Sequence, residues 1–534
     1  GLLVPAVIIF MQENMNTKVR GKKDLENLSV PYLGEIPLYF RNKKKKNKFS
    51  EYAIVVEEGN RNIINEAFRV LRSNVDFMKS KNTEQKVFIE TSFNPGSGKS
   101  FLSMNIAMSF AIKGKKVLVI DGDLRHGTVS AYVGSPKKGL SDYLGNKEVV
   151  WNELLVIDKK YPNLHIIPVG TIPPNPTELL EDGSLATLMQ DLRDEYDYIF
   201  IDCPPIDIVA DTQIIEQYAD RTLFVVRAGL LDRSLLPELE SIYQEKRFKN
   251  LSVILNGTES TGGRYGYRYG YHNGYDSYYG NTNSKINKET VCYYSQQSTE
   301  MCFFRQKKVL AESGFFRGFT DCHSHLLPGV DDGVKTLEES LAILEEMERL
   351  GVRKVWLTPH IMEDIPNETV DLQQKFQELK QMYHGKIELA LAAEYMMDNL
   401  FEERLEKDDL LPFEEGKHYL LVETSYFNPP MELLSILQRI QRKGYYPLLA
   451  HPERYEYMRM KDYKILKDNQ ISFQLNIPSL VGMYGKHIEK KAKILLKAGM
   501  YDLGGNDVHS LIFYVTACKH KIDNLSFLKN VCKI

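Results

Sequence analysis

The sequence predicts an α/β chain throughout: a P-loop parallel-sheet domain, a disordered linker rich in tyrosine and glycine, and then a (β/α) barrel. Three observations carry this. Short apolar runs alternate with helix-length segments between about residues 51 and 257, the pattern of a parallel sheet covered on both faces. The alternation resumes after residue 318, now with histidines and carboxylates where the apolar runs end, as in a barrel whose site lies at the C-terminal ends of its strands. Between the two lies GGRYGYRYGYHNGYDSYYG at 262–280, which has nothing with which to bury a core.

At 534 residues with 43% hydrophobic side chains, the chain is long enough for two or three domains with proper cores. Lys+Arg 68 nearly balance Asp+Glu 71, so a uniformly basic nucleic-acid binder is disfavoured and no nucleic-acid partner is expected. The six cysteines, Cys203, Cys292, Cys302, Cys322, Cys518 and Cys532, show no paired spacing. That is the pattern of reduced thiols in a cytosolic protein. The apolar run GLLVPAVIIF at 1–10 is shorter than the roughly 20 residues that span a bilayer and reads as the tail of a truncated membrane helix. Arg41, Lys43, Lys44, Lys45, Lys46 and Lys48 follow, suited equally to a solvated linker or to contact with anionic lipid. Boundaries are expected at 1–50 for this juxtamembrane part, 51–260 for the P-loop domain, 261–314 for the tyrosine-rich linker and 315–534 for the barrel. Met301 opens the segment MCFFRQKK, which would suit the start of a separate protein, so the halves read also as joined neighbouring reading frames.

In the first half VFIET (87–91), KVLVID (116–121), YIFID (198–202), TLFVV (222–226) and LSVILN (251–256) are the expected strands. The first runs into FNPGSGKS at 93–100 and then into a helix. Gly96, Ser97 and Gly98 form a turn whose backbone N–H groups face phosphate at a helix N-terminus. Lys99 is placed to reach the β- and γ-phosphates of ATP, and Ser100 to ligate Mg²⁺. Phe93 replaces the first glycine of the G-x-x-x-x-G-K-[ST] pattern. Two further strands end in acids, Asp121 and Asp123 in VLVIDGDLR and Asp202 in YIFIDCPP. Apolar strands ending in Asp hold Mg²⁺ or its water shell in P-loop enzymes. Three such acids in register with a phosphate loop outweigh the alternative that each is a helix cap.

In this order PGSGKS, VLVIDGDLR and IFIDCPP resemble the bacterial tyrosine kinases of capsule and exopolysaccharide synthesis, over about residues 1–280. The resemblance implies ATP-dependent autophosphorylation on tyrosine, with Lys99 and Mg²⁺ neutralising the phosphates and Asp121 or Asp123 as base. It makes Tyr265, Tyr267, Tyr269, Tyr271, Tyr275, Tyr278 and Tyr279 the phosphoacceptors, on an arm able to enter a neighbouring subunit's site. EAFRVLR, with Glu66, Arg69 and Arg72, matches the segment used for ring assembly. PYLGEIP at 31–37 matches the linker after a polysaccharide co-polymerase membrane helix. The chain is thus expected at the cytoplasmic face of the bacterial inner membrane, working with co-polymerase and export machinery. Ser97 departs from the family, which commonly has an acid there. A partitioning- or nitrogenase-type ATPase would carry a signature lysine where Asn94 stands, and no tyrosine arm.

In the second half FTDCH, KVWLTPH, IELALAAEY, YLLVETS, YPLLAHPER, ISFQLN and YDLGGND are expected strands, and TLEESLAILEEMERLG an amphipathic helix. His323 and His325 stand two apart, which on a strand turns both to one side. Asp332 follows, and later strand ends bring His360, Glu394, Glu423, His451, Asp507 and His509. A lone histidine is more often capped or exposed than a ligand; a series of them at successive strand ends is a metal site. These are too many for one tetrahedral ion and suit two or three ions. The imidazole and carboxylate mixture favours Mn²⁺, iron or zinc over Mg²⁺ or Ca²⁺. Arg454 is placed to clamp phosphate. HSHLLPGVDDG, TPH, AEY, ETS, AHPERY and DVHS, in order across 318–510, resemble the polymerase-and-histidinol-phosphatase (PHP) superfamily, in particular its capsule-associated tyrosine phosphatases. The resemblance implies metal-dependent hydrolysis of phosphotyrosine. Leu511, Ile512 and Phe513 stand where the family usually places a basic residue. The rival readings are a barrel hydrolase of another substrate, and a chain that is chiefly a scaffold for polysaccharide assembly.

Overall fold

A computed structural model describes residues 17–38, 53–60, 62–78, 85–157, 159–206, 210–259, 308–414 and 417–522. The apolar run at 1–10, the basic run at 41–48 and the whole tyrosine-rich arm lie outside the described residues. The chain divides into two compact units, Gly1–Gly263 with Phe427–Met431, and Arg264–Tyr426 with Glu432–Ile534. Among the described residues no helix is long and apolar enough to cross a membrane.

The first unit is built on β1 (Tyr32–Pro37), β2 (Val87–Thr91), β3 (Val117–Asp121), β4 (Val156–Ile157), β5 (Leu164–Ile167), β6 (Tyr198–Asp202), β7 (Arg221–Arg227) and β8 (Ser252–Thr258). They form one sheet in the order β1-β8-β7-β2-β6-β3-β5-β4, parallel except where β4 meets β5. Alternate residues of each apolar strand serve opposite faces. Phe88, Val119 and Phe200 meet helices α1 (Ile63–Phe77) and α2 (Lys99–Ala111) through Phe68, Leu71, Ile106 and Phe110. Ile89, Ile120, Ile201 and Phe224 meet Leu188, Leu192 and Leu239 on the other side. Burial on both faces is why these strands read as unbroken apolar runs. Tyr32–Pro37, expected as a linker, is instead an edge strand paired in parallel with β8.

The second unit comprises β9 (Lys308–Val309), β10 (Thr320–Asp321), β11 (Lys354–Leu357), β12 (His360–Ile361), β13 (Glu388–Leu391), β14 (Glu394–Met396), β15 (Tyr419–Glu423), β16 (Tyr446–Leu449), β17 (Ser472–Asn476), β18 (Leu503–Gly505) and β19 (Lys521–Ile522). Two parallel sheets, β10-β11-β13 and β12-β14-β15-β16-β17-β18, make the barrel wall. β12 and β14 continue the lines of β11 and β13 after a two-residue break. The first and last parts of the wall meet: Cys322 N donates to Gly504 O (3.1 Å), Asp507 N to His323 O (2.8 Å) and His325 N to Val508 O (3.0 Å). The apolar sequence after His509 is a helix, Leu511–Lys519, capped by Ser510 and burying Tyr514, Ala517 and Cys518. Beyond it β19 pairs antiparallel with β9. The end that departs from the family pattern is thus folded into the barrel's core.

Candidate functional sites

In the first unit β2 runs into the phosphate loop, and Gly98 adopts the left-handed backbone (φ 89°) that turns the chain into α2. Ser97 Oγ and Ser92 Oγ both donate to Asn94 O, at 2.7 and 2.8 Å, tying the loop to itself. Lys99 is buried with Nζ 3.5 Å from Ser92 Oγ. Ser100 Oγ donates to Asp202 Oδ2. β3 and β6 are neighbours, and their register sets Asp121 opposite Asp202. Ser130 donates to Asp121 Oδ2 from both N and Oγ, each at 2.7 Å. Asp123 lies just beyond, accepting from the backbone N–H of Arg125 and of His126, each at 3.2 Å.

These carboxylates crowd one another. Burial and the neighbouring Asp202 push Asp121 up to about 8, against the Ser130 hydrogen bonds. Burial lifts Asp202 to about 6, against Lys99 and Ser100. Glu90, on β2 opposite Asp202, is raised well above the usual range by burial and by Asp202. Asp121 Oδ1, Asp202 Oδ1 and both Glu90 oxygens are buried without a hydrogen-bond partner. Carboxylates that resist ionising side by side are relieved by a divalent cation, so the residues fit Mg²⁺. Glu90 escaped the sequence reading because one acid inside a strand has no partner visible along the chain.

Glu66, Arg69 and Arg72, expected to serve contacts between copies, are engaged within their own chain. Each is at most 6% exposed. Arg69 Nη1 meets Glu66 Oε1 at 2.5 Å, and Arg72 Nη1 donates to Ser109 O at 2.9 Å.

In the barrel the expected ligands converge. His323, Glu394 and His451 form one group, His323, His325 and Asp507 a second, His360, Glu394 and Glu423 a third, and His325, Asp332, His360 and His509 a fourth. In each the ligand atoms lie within 4.8 Å of one another. Glu394 is central: its Oε2 is 3.1 Å from His323 Nε2, 3.3 Å from His325 Nε2 and 3.1 Å from His360 Nδ1, and its Oε1 is 3.3 Å from His451 Nε2. His323 and His325 were expected on a strand. The strand stops at Asp321, and they reach the site from the segment beyond, which bridges to the other end of the wall at Ser324 and Val508. His451 and Asp507 hold left-handed backbone (φ 32° and 49°), a strain that concentrates at functional positions.

The field in this pocket differs from ligand to ligand: burial and then Arg454 hold His451 below the usual imidazole value. Burial pulls the His323 imidazole down, but Glu394 and Asp507 outweigh it and carry it up to about 9. Burial opposes ionisation of Glu394 and Asp507 too, yet the surrounding imidazoles hold both well below the usual range. Imidazole and carboxylate donors in overlapping groups fit transition-metal ions. Two orienting residues were missed. Asp331 Oδ2 accepts from His325 Nδ1 (2.8 Å) and from His360 N (3.0 Å). Gln474 Oε1 meets His323 Nδ1 (3.0 Å) and accepts from His451 N (3.1 Å). Such partners fix a metal-binding histidine's tautomer and direction. Asp331 was within sight, beside Asp332 in VDDG; Gln474 was the polar residue inside ISFQLN. Arg454 is buried with its guanidinium between two rings, 4.4 Å from the centroid of Tyr426 and 4.3 Å from that of Tyr484, and Nη1 2.7 Å from Asp507 Oδ2.

A phosphate loop facing strand-end carboxylates and a histidine-carboxylate barrel define a chain with two phosphate-handling units. Residues 86–232 match the family described as AAA domain, and residues 319–514 match the family described as Capsular polysaccharide synthesis, CpsB/CapC. The tyrosine-protein kinase CpsD of Streptococcus pneumoniae is 34% identical over 222 residues, which is 41% of this chain and 92% of CpsD. CpsD of Streptococcus agalactiae is 32% identical over 203 residues, 38% of this chain and 86% of that one. Among solved structures, the kinase domain of Escherichia coli tyrosine kinase ETK is 28% identical with a TM-score of 0.40, covering 46% of this chain and 96% of that one. A structure of YwqE from Bacillus subtilis and CpsB from Streptococcus pneumoniae, metal-dependent tyrosine phosphatases, is 25% identical with a TM-score of 0.34, covering 36% and 80%. The chain belongs to the bacterial capsule tyrosine-protein kinase family, joined to a CpsB/CapC-type domain.

Proposed function

We propose that the first unit transfers phosphate from ATP to tyrosines of the chain's own arm, that the barrel hydrolyses phosphotyrosine, and that the pair regulates capsule or exopolysaccharide synthesis and export. One observation carries this: a phosphate loop facing strand-end carboxylates shares a chain with a second cluster built to concentrate cations. Ser100, Asp121 and Asp202 would hold Mg²⁺, which supplies charge neutralisation at the β- and γ-phosphates. Lys99 would turn from Ser92 to those same oxygens. Asp123, not bound to Ser130 as Asp121 is, is the better placed base for a tyrosine hydroxyl.

His323, His325, Asp332, His360, Glu394, Glu423, His451, Asp507 and His509 would hold two or three transition-metal ions, Mn²⁺ among the candidates. Such ions supply Lewis acidity at a phosphoryl oxygen and lower the pKa of an attacking water. Arg454, stacked between Tyr426 and Tyr484 and anchored to Asp507, would turn its guanidinium toward a phosphate oxygen. Asp331 and Gln474 keep the imidazoles aimed. Kinship to the capsule kinases supports assembly with further copies and with a polysaccharide co-polymerase at the cytoplasmic face of the inner membrane.

Intact-mass measurement tests the pair together. ATP with Mg²⁺ should add phosphates that map to residues 265–279, and later Mn²⁺ should remove them. Failure to add phosphate, or its appearance mainly on Tyr32 or barrel tyrosines, refutes the kinase half. Phosphate that persists in Mn²⁺ refutes the other.

A further inference from the structure

The ligand cluster of the barrel opens on one side. Asp332 and His509 keep 29% and 18% of their side chains exposed, whereas His323, His325 and Glu394 keep 1% or less. Two residues past His509 begins the helix Leu511–Lys519, whose first turn carries Phe513, half-buried. Phe513 is one of the three apolar residues that stand where the family usually places a basic one. Its ring meets that of Tyr484, also half-buried, with centroids 5.8 Å apart. Tyr484 in turn lies against the Arg454 guanidinium.

Tyr484 is fixed there from two directions. It stands on a turn between Gly482 and Gly485, whose φ of 82° and 93° only glycine adopts readily, and Gly485 N donates to Gly482 O at 3.0 Å. Asn476, fully buried at the end of β17, donates from Nδ2 to Tyr484 Oη at 3.2 Å and to Asp507 Oδ2 at 3.0 Å. One carboxamide thus ties the ring to the carboxylate that also anchors Arg454. Arg454 itself is only 5% exposed. A phosphate on a short alkyl side chain would reach it only if the peptide backbone entered as well. A phenyl ring spans that depth, and would then lie at the level of Tyr484 and Phe513.

We propose that Tyr484 and Phe513 determine the barrel's specificity, forming an aromatic wall that takes the ring of a phosphorylated tyrosine and so favours aryl over alkyl phosphomonoesters. Aromatic rings pack against one another, tilted or offset, more favourably than their area alone would give. Asn476 is the positioning residue that keeps the wall in register with Asp507 and Arg454. The proposal rests on the phosphatase reading above and adds the residues that choose the ester.

Inhibition of phosphotyrosine-peptide hydrolysis by phenylphosphonate and by methylphosphonate, with the full chain and Mn²⁺, tests it, because only the first inhibitor carries a ring. The wild type should be inhibited by phenylphosphonate at the lower concentration. Phe513→Ala should raise the phenylphosphonate inhibition constant and the peptide KM by about tenfold, with kcat and the methylphosphonate constant little changed. Tyr484→Leu should act in the same direction, whereas Tyr484→Phe, which keeps the ring, should restore the gap between the inhibitors. Wild-type metal content by elemental analysis shows that each variant's barrel is folded. A gap as wide in Phe513→Ala and Tyr484→Leu as in the wild type overturns the proposal. So does an equal weakening of both inhibitors, which would make the rings mere supports of Arg454. A wild-type chain that hydrolyses no phosphotyrosine peptide refutes the phosphatase reading, and this inference with it.

Discussion

Replacing Glu394 with glutamine tests the barrel at its centre. The change keeps size and shape and removes one negative charge. That charge faces four imidazoles, those of His323, His325, His360 and His451, at 3.1 to 3.3 Å. It also belongs to two of the four ligand groups, so a single substitution removes a donor from both. Losing a partner one shell further out lowers metal affinity roughly 10- to 100-fold; a carboxylate shared between groups should cost more than about 100-fold. Glu394→Gln should therefore carry fewer transition-metal ions per chain by elemental analysis, and phosphate release from a phosphotyrosine peptide should fall at least as far. ATP binding by the first unit serves as the control and should be unchanged. A variant with full metal content and wild-type phosphate release would refute the central place of Glu394 and the assignment of the cluster.

Other substitutions probe the remaining parts. Lys99→Met should abolish ATP-dependent phosphotyrosine, read by immunoblot of purified protein, while the barrel's phosphate release continues; robust labelling would contradict the phosphate-loop reading. Gln474→Leu leaves the His323 ring and the His451 N–H without their shared acceptor, and should lower metal affinity about 10- to 100-fold with a thermal midpoint close to wild type once metal is saturating. Asp121 sets a pH dependence. Its folded-state pKa of about 8 lies above the ordinary carboxylate value, so the folded state holds a proton that the unfolded state gives up, and stability falls as pH rises from about 4 to about 8. Asp121→Asn should flatten that decline in metal-free protein, and Mg²⁺·ATP should flatten it in the wild type; a wild-type midpoint that climbs across the interval would contradict the sign.

Much of the barrel site was legible because several of its ligands stand at or just after the end of an apolar run. Glu423 and His451 close such runs and His360 and Glu394 follow within three residues, and parallel strands bring their ends together whatever lies between. The orienting residues were not legible. Gln474 meets His323 across 151 positions of sequence, and a polar residue in a strand says nothing of what it faces. The match of Glu66, Arg69 and Arg72 to the family's ring-assembly segment was legible; that within one chain all three are buried on α1 together with Phe68 and Leu71 was not. After His509 the sequence shows only Leu511, Ile512 and Phe513 where the family usually places a basic residue. The helix Leu511–Lys519 instead buries Tyr514 and Cys518, a role that hydrophobic residues fill without resembling the family motif.

The meeting of His323 with Asp507, and of His325 with Val508, has a consequence for biosynthesis. These ligands come from opposite ends of the barrel's sequence, and their backbones hydrogen-bond directly. A ribosome must therefore release nearly the whole unit before the cluster can exist, and the long loop between its halves must close at an entropic cost. A cation held by His323, His325 and Asp507 would then act as a clasp on the seam, the last stitch in folding and the first to open when the metal is withdrawn. Metal loading would then report that the segment carrying Asp507 had been made: a unit lacking it would have most of its wall and an incomplete group of His323 and His325.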